Sequence, residues 1–68
     1  MSSHAPKYGG MTTNERLFVA GLLDQVDHAA RLRDKERMIR ILRQVEISET
    51  NAGTIVEAVL AEPKRYGF

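Results

Sequence analysis

Apolar residues recur at helical spacing in three stretches of the chain. In the first, Phe18, Val19, Leu22, Leu23, Val26, Ala29 and Ala30 fall within an arc of roughly 140° on a helical wheel. Asp24, Gln25, Asp27, His28 and Arg31 fill the opposite side. Thr12-Thr13-Asn14-Glu15 opens this stretch with the Thr-x-x-Glu signature of a capping box. The pattern predicts one helix over about 12–32. Gly21 lies on its polar side, where it costs about 1 kcal/mol relative to Ala without ending the helix.

The second stretch places Met38, Ile41, Leu42 and Val45 at i, i+3, i+4 and i+7, with Ile39 widening the face and Asp34 as N-cap. A helix is predicted over about 34–46. In the third, Ala52, Ile55, Val56, Val59 and Leu60 share a face behind a Ser48 cap, and Ile47 precedes the cap as a packing residue. Pro63 ends it, because the residue before a proline is pushed out of the α region. The third helix is predicted over about 48–62. No segment alternates with the period of two that marks a strand. The expected fold is all-α, a compact three-helix bundle over 12–68 with short antiparallel connections.

Two ends flank this bundle. Residues 1–11, MSSHAPKYGG and Met11, hold too few apolar groups to offset ordering entropy and read as a disordered arm. At the other end, PKRYGF forms an aromatic tail. Tyr66 and Phe68 are two of four aromatic residues in the chain. They either cap the open end of a core short of aromatics or present a recognition element to a partner.

Composition narrows the chemistry. A chain of 68 residues is one domain with a modest core. It has no Cys, which excludes disulfides and thiolate zinc sites. No apolar run approaches the ~18 residues of a membrane span. No apolar core of a secretory signal follows Met1. A cytoplasmic location without membrane contact is the expectation.

The net charge of +1 conceals blocks of opposite sign. Residues 31–46 hold six cations and three anions, residues 47–62 three anions alone. Arg33, Arg37 and Arg40 share the face opposite Met38 and Ile41. Such a face suits phosphate neutralisation, but Asp34, Glu36 and Glu46 dilute it. The next helix carries Glu49, Glu57 and Glu62, so it is no groove-entering partner in a helix-turn-helix. Weak, sequence-independent nucleic-acid binding is therefore the alternative expectation. On the third helix, Thr54, Ala58 and Ala61 form, with Asn51, an outward stripe of small residues that suits a docking helix or a second copy of the chain.

Catalysis is not expected. Ser and Thr residues have no His at a spacing that suggests a nucleophile and base. There is no glycine-rich phosphate loop or dinucleotide fingerprint. His28 lies near Asp24 and Asp27, but on the polar side of a helix with no further ligand evident, so it reads as solvated. No cofactor or metal is expected.

NERLFVAGLLD at 14–24 and PKRYGF at 63–68 resemble segments of small uncharacterised bacterial helical proteins. The resemblance covers most of 12–68 and implies a compact helical unit with no established activity. Together these readings predict a non-catalytic interaction or regulatory module. Its candidate surface is Arg33, Arg37, Arg40, Thr54, Ala58, Ala61, Tyr66 and Phe68, and it would meet a protein partner or self-associate.

Overall fold

The computed structural model describes residues 8–66, apart from the Tyr66 side chain. Among them are four α-helices: α1 (Thr13–Ala20), α2 (Leu23–Arg31), α3 (Lys35–Gln44) and α4 (Glu49–Ala61), followed by a 3-10 turn, Pro63–Tyr66. The described residues form helices and no strand, but the predicted helix over 12–32 is two helices. The bundle of three is thereby corrected to a fold of four.

Gly21 makes the break. Its φ of 73° puts it in the left-handed region, where a residue other than glycine is strained. The Gly21 N–H donates to the Phe18 carbonyl at 3.1 Å, and the Leu22 N–H to the Leu17 carbonyl at 2.8 Å. This bond pair is a Schellman motif, which satisfies carbonyls that a helix end leaves open. Leu22, just past the glycine, packs against the core cluster that contains Leu17, as the apolar contact of such motifs requires. Gly21 thus terminates α1 instead of merely weakening a longer helix.

The same termination recurs twice without glycine. Arg33 (φ 56°) donates its N–H to Ala30, and Asp34 donates to Ala29. Glu46 (φ 67°) donates to Arg43, and Ile47 to Leu42. These two tight ends set the α2–α3 and α3–α4 connections.

The helix starts follow the sequence closely. Thr12 Oγ1 accepts from the Glu15 N–H at 3.1 Å, and Glu15 Oε1 accepts from the Thr12 N–H at 2.8 Å. Asp34 accepts from the Arg37 N–H and Ser48 from the Asn51 N–H. Each bond satisfies a donor that would otherwise lack a partner in the first turn.

α3 is the central element and packs most extensively on α2 and α4. It contributes Met38, Ile41, Leu42 and, at its end, Val45. α2 adds Val26, Ala29 and Ala30, and α4 adds Ala52, Val56 and Val59. Ala29 and Ala52 are wholly buried. Small side chains at such positions let helix backbones approach closely.

Tyr8 departs from the expected arm. It is buried, and Met11 packs against the same core. A turn carries the chain from Tyr8 into α1: the Met11 N–H donates to the Tyr8 carbonyl at 3.1 Å, with Gly10 (φ 78°) at the third position. A positive φ at that position favours glycine. Residues 1–7 lie outside the described residues.

Arg16 holds this segment in place. Its Nη1 donates to the carbonyls of Val45 and Glu46 at 3.1 and 3.3 Å, and its Nε to that of Met11 at 3.3 Å. Its guanidinium lies 6.0 Å from the Tyr8 ring centroid, within cation–π range. One side chain therefore ties the entry to α1 onto the α3–α4 connection. It also satisfies two carbonyls at the end of α3.

Candidate interaction surfaces

The basic face of α3 is partly consumed inside the molecule. Arg33 Nη2 donates to the Leu60 carbonyl at 3.2 Å, which draws it toward α4. Arg37 pairs with Asp34 at 3.8 Å, Lys35 with Glu57 at 3.1 Å and Arg43 with Glu49 at 3.3 Å. Arg31 pairs with Asp27 at 3.1 Å. These pairs are exposed and each contributes little to stability, about 0–1 kcal/mol. Their effect is electrostatic: they interleave anions with the cations. Of the six cations between 31 and 46, Arg40 alone makes no hydrogen bond or ion pair within the described residues. Arg37 and Arg40 line one shallow depression with Asp24 and His28. Arg33 is not among its lining residues.

Thr54, Ala58 and Ala61 all lie exposed on α4, as does Asn51. Thr54 Oγ1 donates to the Thr50 carbonyl at 3.2 Å. The Tyr66 side chain and Phe68 lie outside the described residues. Among the described residues no group of three or more His, Asp or Glu side chains is placed to hold a metal ion. No described helix is long and apolar enough to cross a membrane.

Three of the four exposed large apolar side chains among the described residues, all but Leu32, lie where sequence reasoning expected core. Phe18 is 72% exposed, Val19 56% and Leu23 37%. The wheel that placed Phe18 and Val19 inward ran across Gly21 as one helix. Once α1 ends there, its orientation is set separately. Leu17 is then the residue of α1 that turns into the core. The glycine followed by Leu22 was the available signal.

Two depressions adjoin this surface. The smaller, of about 370 Å³, is lined by Met11, Glu15, Phe18, Val19, Leu23 and Asn14. The larger, of about 590 Å³, runs over Leu17, Leu23, Val26, Ile55 and Val59, with Asn14 at its edge. Leu23 and Asn14 border both, so the apolar surface is continuous. Glu15 and Asp24 stand beside it. The Thr12 main-chain N–H, and secondarily its hydroxyl, hold the Glu15 carboxyl below its ordinary range. Glu15 is therefore an anion at neutral pH.

Comparison with protein families, with curated proteins and with solved structures finds no match to this chain. Its function must be read from its own surface.

Proposed function

We propose that the protein is a small non-catalytic interaction module whose contact surface centres on Phe18 and Val19 of α1. The observation that carries this reading is the exposure of Phe18, at 72%, while the core of the described residues holds one aromatic, Tyr8. A phenylalanine left in water forgoes burial worth about 1.5–3 kcal/mol. Neighbouring exposed apolar residues of this kind mark contact surfaces more often than scattered ones do. Nucleic-acid binding through Arg33, Arg37 and Arg40 is the weaker reading, because Arg33 and Arg37 are already engaged within the chain.

A photo-crosslinking amino acid placed at Val19 tests the proposal in the protein's own host. Discrete protein adducts are expected from position 19 and not from Ala61, on the exposed stripe of α4. Equal labelling at both positions, or none at either, refutes it.

A further inference from the structure

The interaction-module reading leaves the partner's chemistry open, and the charge around the exposed strip addresses it. We propose that Phe18, Val19 and Leu23, with the groove over Leu17 and Val26, dock an amphipathic helix of another protein that carries basic residues beside its apolar face. This inference rests on the interaction-module reading and adds the partner's form and charge.

The form follows from the strip. Two adjoining depressions of about 370 and 590 Å³ share Leu23 as their common wall. Apolar residues spaced i, i+3, i+4 and i+7 on a helix fill successive depressions in this way.

The charge follows from the rim. Glu15 and Asp24 form no ion pair within the described residues. The other charged groups bordering the groove are Asp27 and Arg65. Asp27 is paired with Arg31, and Arg65 with Glu62 at 3.7 Å. The charges lining the two depressions, Glu15, Asp24 and Asp27 against Arg65, leave the groove acidic, although Asp24 also shares a neighbouring depression with Arg37 and Arg40 and the chain as a whole carries +1. Lysine or arginine flanking an apolar helix face would complement it.

A second copy fits less well, because meeting this one through a two-fold axis would set each rim against an identical rim.

Titration of the 15N-labelled 68-residue protein with three synthetic 18-residue peptides tests the proposal. One has a leucine face flanked by lysines, one the same face flanked by glutamates, and one the lysine peptide's composition scrambled. The lysine-flanked helix is expected to shift the amides of Phe18, Val19 and Leu23 and to bind about ten-fold tighter than the other two. Phe18→Ser is expected to weaken it about ten-fold while leaving the melting curve in place, since that side chain is exposed. Equal, Phe18-dependent binding of the glutamate-flanked helix overturns the basic-partner proposal and leaves the interaction surface standing. Binding of the lysine peptide that ignores Phe18→Ser overturns the proposal as non-specific charge attraction. Binding only after removal of residues 67–68 assigns the groove to the chain's own tail. A dimer in sedimentation that Phe18→Ser dissociates assigns it to a second copy. No binding by any peptide also overturns the proposal, and crosslinking at Val19 then decides separately whether the surface has a partner.

Discussion

Glu46→Gly should stabilise this protein, against the usual effect of introducing glycine. Glu46 sits at φ 67° as the left-handed residue that closes α3. A residue with a Cβ costs about 1–2 kcal/mol in that region. Glycine escapes this strain but brings a more flexible unfolded chain, which offsets about 0.5–1 kcal/mol of the gain. The net expectation is stabilisation by about 0.5–1 kcal/mol. Nothing else of weight changes, because the Glu46 side chain is exposed and makes no hydrogen bond or ion pair within the described residues. The bonds that matter here use its backbone: the N–H to Arg43 and the carbonyl to Arg16. Glu46→Ala removes the same carboxylate from the end of the helix while keeping the strained Cβ. It therefore separates the backbone effect from any relief at the helix dipole. In a domain this small the glycine variant should melt about 2–8 °C higher than the alanine variant. Its urea midpoint should rise with an unchanged slope. If alanine and glycine at 46 melt together, the left-handed strain is not what limits this helix end.

Arg16→Ala should lower stability by about 1–3 kcal/mol, since charged donors to partly buried carbonyls are lost together with the contact to Tyr8. Arg16→Lys should recover part of this in a thermal melt, because lysine keeps the charge but not the planar fork. Glu15 contributes a pH dependence of known sign. Its folded carboxyl titrates below its ordinary value of 4.5, so its stabilising effect is complete above that value and is lost as pH falls through the lower folded one. Comparing urea midpoints with Glu15→Gln should show the wild-type advantage shrinking between neutral pH and about pH 3. An advantage that stays constant or grows with acidity would contradict the cap's role.

The helix starts and the α3–α4 core were legible because both depend on short-range pattern. Thr12, Asp34 and Ser48 cap where their spacing predicts, and Met38, Ile41, Leu42 and Val45 bury as a stripe. Gly21 was misread because glycine has two meanings in a helix, a weak interior residue or a left-handed end. The wheel alone does not distinguish them. Arg33 and Glu46 carry no such signal, since neither residue type favours the left-handed region that both occupy. Tyr8 was missed for another reason: its burial goes with an arginine eight residues later and a connection beyond residue 44. The exposed strip inherited the error at Gly21. The basic face of α3 was legible as a set of residues, but not the partners on α4 and at helix ends that divide it.

The break at Gly21 also divides the molecule thermodynamically. α1 has eight residues, too few to persist as an isolated helix in water. Beyond its contact with α2, it is held through Leu17 and the Arg16 bonds. Detaching it leaves the α2–α3–α4 core in contact with itself. Its amides would then exchange with deuterium through a local opening of smaller free energy, while those of Leu42 and Val56 would require global unfolding. A ligand seated on Phe18 would slow exchange first in the least protected helix. Because unfolding also destroys the site, global stability would rise by the same RT ln(1 + [L]/Kd), but α1 exchange, being the fastest, would report occupancy soonest.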